Sequence, residues 1–585
     1  MKPQTSPVVT ATDHNLYSTF SNGLRSITSH ALNTDPKGLN VKTIRNVHDH
    51  QIIDPTGLDD DELLAKSGYR KELKRHFTAI NVFGVSFSIM SILPSIASVY
   101  GQSITTGPSS AIWGWFVSSF FIFLISVSMS ELASANPTSG GLFYWTYYYA
   151  PDALKIPLSF VVGNSNTIAL TGALCSIDYG FAKEVLAVVY IAKDGNFEIT
   201  NGITYGVFAA CVVSHVATAC VASYGVAKLQ TTSVIANLLL CALFIVAMLV
   251  GARHSFAPGH WVMTNATNLS DWPEGWSWVM NSFMPAIWTI GAFDSCIHMS
   301  EEAINATKTV PFGIMSSVFS VWIIGFFIMI VSCFALQPDQ VDSVINAESG
   351  QPMAQLIYNT LGKKWSIAFM VLIAVCQWLM GASTITATSR QIWAFARDNG
   401  LVFSSIIKVV NSKLKVPIRA IIFGGIFALI MGLLCLIGTT AANALFTLYV
   451  CGNYFAWQTP IMLRLYNQYF TSENLFVPGT FYLGPILSPI VNVSAVLFTN
   501  FTIIMAMFPA GPTVDKESMN YTVVITCGTW LLSIIYFYAY ARKSYFGPRN
   551  TISEVEGFSA DEESASDSIN GKEVNAIDEL IAEKQ

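Results

Sequence analysis

The sequence predicts an all-α integral membrane protein of about twelve spanning helices, because a 30 Å hydrocarbon core needs about 20 apolar helical residues and such segments recur along the chain. Three observations carry this. Only 12% of the 585 residues are charged and 52% are hydrophobic, against roughly 25% charged in soluble domains. Mean hydropathy is +0.48. The charges that do occur crowd toward the ends. Residues 1–75 carry ten Lys/Arg and nine Asp/Glu, residues 544–585 three and ten, and the long segment between them eighteen of each. A conventional soluble enzyme is excluded, and no basic block offers a footprint for nucleic acid.

The domain plan follows as an N-terminal tail (1–75), a transmembrane body (76–543) and an acidic C-terminal tail (544–585). Residues 1–60 are rich in Ser, Thr, Asn and Asp, and 550–585 contain the acidic run SADEESASDS. Neither composition buries a core. Segment 59–75 (DDDELLAKSGYRKELKR) reads either as a short amphipathic helix along the membrane face or as a solvated linker. Apolar spans are then expected at 77–100, 110–130, 156–190, 203–223, 230–251, 278–298, 312–336, 366–394, 417–438, 442–463, 485–508 and 520–541. The third is overlong, which calls for a bend or a tilt. The chain opens without a basic-then-apolar pattern, so the first span is expected to act as the insertion signal. The ten cysteines lie singly, without CxxC or metal-ligand spacing. Neither a disulfide framework nor a metal or other cofactor is expected.

Orientation follows from the Lys/Arg bias of the connections. Lys66, Arg70, Lys71, Lys74 and Arg75, the loop region with Arg390, Arg397, Lys408, Lys413, Lys415 and Arg419, and finally Arg542, Lys543 and Arg549 fall on one side. The other side holds only Lys193, Arg253, Lys363, Lys364 and Lys516. Both termini are therefore expected in the cytosol, and the sequons at Asn265 and Asn268 fall in a loop on the far side. The plasma membrane and the vacuolar membrane both fit.

Secondary transporters built from inverted repeats bind substrate near the midplane, between helices that are broken at corresponding places. Two segments five spans apart are interrupted in this way. Span 1 reads FGVSFSIMSILPSIASV, with Gly84 and Pro94, and span 6 reads FMPAIWTIGAFDSCIHMSEE, with Pro285, Gly291 and Asp294. SELASANPTSGGLFYW at 130–145, WTIGAFDSCIHMSEEAINATKTVP at 288–311 and SRQIWAFARDNGL at 389–401 resemble the signatures of the amino acid-polyamine-organocation superfamily of permeases. Within that superfamily the chain is most similar to the fungal gamma-aminobutyrate (GABA) permease family, over nearly all of residues 60–550. The resemblance implies a five-plus-five inverted repeat of the leucine-transporter type with two extra C-terminal helices, and proton-driven uptake of GABA. Permeation of polyamines such as putrescine, of delta-aminolevulinate or of choline-type substrates is the alternative within the class. A nutrient sensor on the same scaffold is the alternative outside it. Pro94, Glu131, Gly140, Gly141, Arg390 and Arg397 stand at signature positions, with Glu131 expected as a structural anchor at the end of span 2. One departure is Phe87-Ser88-Ile89, where many members have Gly-Ser-Gly.

GABA carries a carboxylate and an ammonium, and both must be paired once water is removed. The carboxylate is expected at the start of the second half of span 1, where N–H groups of Ser88, Ile89, Met90 and Ser91 converge with a favourable dipole. The ammonium is expected at unwound carbonyls of Thr289, Ile290, Gly291 and Ala292, with Trp288 and Phe293 offering ring faces. Packing is the competing role for these aromatics, and bonding to their own helix for the serines. Carboxylates inside a membrane default to function. Asp294 has four roles open to it: neutralising the amine, taking up a proton, closing a gate, or capping a half-helix. Asp178 either faces the path or pairs with Lys183. A diamine would need a second anion, which Asp178 or Asp294 could supply. Asn237 stands where some proton-coupled relatives place a lysine in lieu of sodium, while Ser383, Thr384 and Thr386 offer oxygens for a sodium ion. His215 and His298 are expected mainly as packing residues.

Overall fold

In the computed structural model, which describes residue 55 and residues 57–549 apart from 221, 222, 472, 473, 510, 514–518 and 520, the chain is helical, and among the described residues it has no strand beyond an isolated bridge between Phe77 and Ala303. The expectations for the tails at 1–54 and 550–585 lie outside the described residues. The helices are α1 (Asp60–Lys66), α2 (Ala79–Met90), α3 (Ile92–Ile104), α4 (Pro108–Ala135), α5 (Gly141–Tyr149), α6 (Lys155–Ala192), α7 (Asn201–Ala219) and α8 (Ser223–Gly251). They continue as α9 (Trp276–Thr289), α10 (Ala306–Ala335), α11 (Pro352–Leu361), α12 (Lys363–Arg397), α13 (Ile418–Met431), α14 (Thr439–Phe470), α15 (Gly484–Ala506) and α16 (Thr522–Ala539), with several single turns between them.

Nine spans among the described residues are long and apolar enough to cross a bilayer, with α2 and α3 together making one of them. The other expected spans are α6, α14 and the broken segment of α9 with Ser295–His298. Each carries buried polar residues that lower its apolar character: Asn166, Asp178 and Glu184 on α6, Asp294 in the broken segment, and Asn453 and Arg464 on α14. The overlong third segment is one continuous helix of 38 residues. At 1.5 Å per residue it runs about 57 Å, so it overshoots the hydrocarbon core rather than bending within it.

The packing repeats when each span is replaced by the one five later. Span 7 (α10) packs on the first half of span 1 (α2), and span 2 (α4) on the first half of span 6 (α9). Span 8 (α12) packs on span 4 (α7), and span 3 (α6) on span 9 (α13). The short helices follow the same rule: α5 sits between spans 3 and 10, and α11 between spans 8 and 5. This is the five-plus-five inverted repeat. Spans 11 and 12 (α15 and α16) add to it, packing on spans 2, 3 and 10.

Segment 59–75 contains a short helix, but its leucines face the protein rather than a membrane surface. Only α1 is helical there, started by a capping box between Asp59 and Glu62, and its Leu63 and Leu64 are buried in the protein. Lys71 and Arg75 hydrogen-bond Asp61 and hold its carboxyl below the usual range. The Asp60 carboxylate accepts the free N–H groups of Asn305 and Ala306 at the start of α10. Residues 57–78 thus form a strap tied to one end of the bundle.

Candidate functional site

Pro94 explains where span 1 breaks. A proline cannot bond the carbonyl four residues earlier and its ring pushes that carbonyl aside. That carbonyl belongs to Met90, the last residue of α2, and the Ser95 hydroxyl takes it instead at 2.7 Å. Ser91 then turns into the left-handed region (φ 31°), and α3 begins at Ile92. The Ser91 hydroxyl donates to Asn237 Oδ1 at 2.7 Å, which fixes this costly conformation to α8. The expected carboxylate donors are corrected accordingly. Ser88, Ile89 and Met90 lie within α2, and the Ser91 N–H bonds the Phe87 carbonyl. The first turn of α3 offers the N–H groups of Ile92 and Leu93 in their place.

Span 6 is interrupted between Thr289 and Ser295, with Ala292 in the left-handed region (φ 52°). A small cavity of about 10 Å³, room for one water, lies between the two breaks. Ile89, Trp288, Thr289, Gly291 and Ala292 line it, joined by Ala173 and Ile177 of α6, Met380 of α12 and Tyr449 of α14. A Cβ on Gly291 would stand 1.7 Å from the Tyr449 hydroxyl, so only glycine allows this approach. The other expected residues point elsewhere. Phe293 stacks on Trp457 (4.4 Å) instead of facing a cation, and the Ala292 carbonyl already accepts the Ser295 N–H. Ser88 is buried with its hydroxyl unpaired.

Trp288 also lines a vestibule of about 600 Å³, together with Gln102, Asn281, Phe446 and Met505 among others. Its ring packs on Phe446 (5.1 Å). One thin aromatic layer therefore separates the cavity from the vestibule.

The opposite end is closed in depth. The Arg397 guanidinium makes two bonds to the Glu301 carboxylate (3.0 and 3.1 Å) and lies over the rings of Tyr69 and Trp393. Arg390 donates to Glu302 at 2.9 Å. Arg75 of the strap donates to the carbonyls of Ser300 and Ala303, while the His76 and Phe77 N–H groups bond the Glu302 carbonyl. Asp398 receives the Tyr69 hydroxyl and the Arg549 N–H, and burial holds its carboxyl up at about 6 despite the Arg397 beside it. Two arginines one heptad apart and two adjacent glutamates are a signal that the sequence carries beyond the signature positions of Arg390 and Arg397.

Asp294 is fully buried. Its Oδ2 accepts the Asn166 amide (2.9 Å), which also bonds Asn453, and lies 3.4 Å from His298 Nε2. Its side chain makes no capping bond to the following turn, so the capping role does not apply. Asp178 neither faces the cavity nor pairs with Lys183. It meets His215 (3.1 Å) and Cys211 (3.7 Å), in a space opened by Gly381, where a Cβ would stand 2.2 Å from the imidazole. These three side chains each bring one ligand-type atom within 4.8 Å of the others, yet they already satisfy one another by hydrogen bonds. Glu184 is buried with neither oxygen hydrogen-bonded. The Ser383 hydroxyl donates to Gln230 Oε1, and those of Thr384 and Thr386 donate to carbonyls of their own helix.

Glu131 ties three helices together: its carboxylate accepts Arg464 (2.6 Å), Ser488 (2.7 Å) and the Leu483 N–H (2.9 Å). Gly141 (φ 30°) lets the loop after α4 settle on Ile297, and Gly140 meets the Phe143 ring. Sequence reasoning missed Asn166, Asn453 and Tyr449, whose uncharged polar groups carry no signal until tertiary contacts are known.

Comparison with known proteins places this geometry. The model of the amino acid permease family matches residues 77–529. A GABA-specific permease of Saccharomyces cerevisiae is 49% identical over 525 residues, covering 88% of this chain and 91% of its own length. An uncharacterised amino-acid permease of Schizosaccharomyces pombe is 31% identical over 510 residues (86% and 92% covered). A putative polyamine transporter of Candida albicans is 29% identical over 510 residues (85% and 91% covered).

Proposed function

The chain belongs to the amino acid permease family, and from that premise we propose that it is a proton-coupled GABA symporter that works by alternating access. The observation that carries the substrate reading is the wall of the cavity. It is built from two broken helices, Thr289, Tyr449 and apolar side chains, and no charged side chain lines it or the vestibule among the described residues. Such a wall suits a substrate with no net charge. The carboxylate takes the start of α3, and the ammonium takes the unwound carbonyls before Ala292 with the Trp288 face above. A diamine brings two positive charges into this wall and finds only Asp294 below it, already engaged by Asn166. The relative named GABA-specific supports the same choice.

In this geometry a thin layer covers the vestibule side and a thick one the strap side. Substrate thus enters from the vestibule, Trp288 and Phe446 part, and the strap-side pairs separate only after the cavity has closed above. The Lys/Arg bias puts the strap and both termini in the cytosol, so transport runs into the cytosol from outside or from the vacuolar lumen. Asp294, beneath the cavity, is the proton-coupling carboxylate in this reading.

Reconstituted flux of labelled GABA, putrescine and delta-aminolevulinate under an imposed pH gradient tests it. GABA accumulates on acidifying the vestibule side, and Asp294→Asn abolishes the accumulation. Putrescine carried in preference, or sodium driving uptake with no pH gradient, sinks the assignment, and a protein that binds GABA without flux is a sensor.

A further inference from the structure

We propose that His298 shares the coupling proton with Asp294 and links its occupancy to the Arg397 gate through the peptide of Ser139; this rests on the symport reading above. His298 Nδ1 lies 3.0 Å from the Ser139 carbonyl. A carbonyl only accepts, so Nδ1 carries a hydrogen, and the neutral ring then presents a lone pair at Nε2. That lone pair faces the Asp294 carboxylate at 3.4 Å, with both side chains fully buried. Neither His298 Nε2 nor Asp294 Oδ1 has a hydrogen bond. Two lone pairs facing each other in a dry site repel. One proton between them turns the contact into a hydrogen bond, charge-assisted when the proton sits on Nε2 and neutral when it sits on the carboxyl.

The position suits coupling. Asp294 follows the cavity-lining Ala292 in the unwound segment, so the proton sits under the substrate. On its other side the Ser139 peptide continues the chain of bonds. Its N–H donates to Glu301 Oε1 at 3.2 Å, and the same oxygen takes Arg397 Nη2 at 3.1 Å. Gly141 holds this loop on the turn that carries His298, since a Cβ there would stand 2.1 Å from Ile297. A displacement of the imidazole is therefore passed to Glu301 through the backbone of one residue, from the Ser139 carbonyl to the Ser139 N–H.

The groups facing the pair are Asn166 and Asn453, which do not titrate, Tyr449 across Gly291, Cys296 on the same turn, and beyond Ser139 the pairs Glu301–Arg397 and Glu302–Arg390. Phenols and thiols ionise well above neutral pH, and each arginine pair is neutral as a whole. The proton enters from the vestibule with the substrate and rests between Asp294 and His298. It leaves on the strap side once Arg397 and Glu301 part. One proton arrives, one departs, and no other bond changes.

His298→Asn in the full-length protein tests this in proteoliposomes. The asparagine amide reaches the Nδ1 position and keeps the donor to Ser139, while Nε2 is lost. Accumulation of GABA under a pH gradient is expected to fall about tenfold or more, while counterflow at equal pH stays within about threefold and loses its pH dependence. His298→Gln, whose amide reaches the Nε2 position, is expected to lose accumulation in the same way. Full accumulation in either variant overturns the proposal, as does loss of counterflow in both, which makes His298 a structural residue. Wild-type accumulation indifferent to the pH gradient overturns instead the symport reading on which it rests.

Discussion

Glu301→Gln perturbs the gate with little change of shape. The glutamine oxygen still accepts the Ser139 N–H, but Arg397 loses both bonds to a carboxylate and remains buried. Breaking a buried pair by neutralising one partner costs about 3–5 kcal/mol, because the remaining charge is stranded. The lower figure applies here, since Arg397 keeps the ring faces of Tyr69 and Trp393 at 3.8 and 4.7 Å. The cost falls only on the state in which the gate is closed. At about 1.4 kcal/mol per factor of ten, 3 kcal/mol lowers the closed population about 100-fold relative to the open one. Hydrogen exchange reads this directly, because the N–H groups of His76 and Phe77 bond the Glu302 carbonyl only while the strap is docked. Their protection is expected to drop about 100-fold in Glu301→Gln. Adding Arg397→Gln removes the stranded cation and is expected to recover about tenfold or more of that loss. Unchanged protection in the single variant, or additive losses in the double one, refutes the argument.

Gly291→Ala drives a methyl group to 1.7 Å from the Tyr449 hydroxyl, and uptake is expected to fall by more than about tenfold, with the melting temperature lowered by the equivalent of about 1–3 kcal/mol. Glu131→Gln strands the buried Arg464, so the melting temperature in detergent is expected to fall by the equivalent of about 3–5 kcal/mol, with much of it recovered by also replacing Arg464. The Asp398 carboxyl is raised from 3.8 to about 6, chiefly by burial. Its folded state holds the proton more tightly than the unfolded chain. The contribution is thus fully present below about pH 4 and lost as pH rises through 6, on the order of 3 kcal/mol in all. Melting curves of Asp398→Asn are expected to lack that decline, and an equal decline in the variant removes Asp398 as its cause.

The spans were legible because apolar length is a one-dimensional property, and so was the existence of the two breaks, from Pro94 and Gly291. The position of the first break was misread through the family's glycine triad, which directs attention to residues 87–89. The proline's own geometry, acting on the carbonyl four residues back, leads to Met90. What could not be read is direction. Once a helix unwinds it has no period, so nothing in the sequence says that Phe293 turns onto Trp457 while Gly291 turns toward Tyr449. Partners across spans are equally hidden. Asp294 meets Asn166 and Asp178 meets His215 through helices packed long after both were written into the chain. Lys183, the nearest cation along the sequence to Asp178, lies instead over the Tyr179 ring.

Five of the buried carboxylates in and beside the spans divide by partner, and the division bears on mechanism. Glu131, Glu301 and Glu302 each face an arginine. An arginine does not give up its proton, so each of these glutamates keeps a fixed cation beside it. That suits an anchor and a gate. Asp178 and Asp294 each face a histidine, and a histidine, unlike an arginine, exchanges its proton with a partner. Of the two, the Asp178 pair is wedged against Gly381, with His215 Nε2 fixed to the Trp378 carbonyl at 2.8 Å, and it touches neither the cavity nor the gate. The Asp294 pair lies at the break in span 6, Asp294 at the end of the unwound stretch and His298 on the turn that follows, with the cavity on one side and the Ser139–Glu301–Arg397 bonds on the other. A carboxylate–histidine pair and an interrupted helix coincide there among the described residues, which favours that pair over the more tightly bonded one in the coupling role we propose.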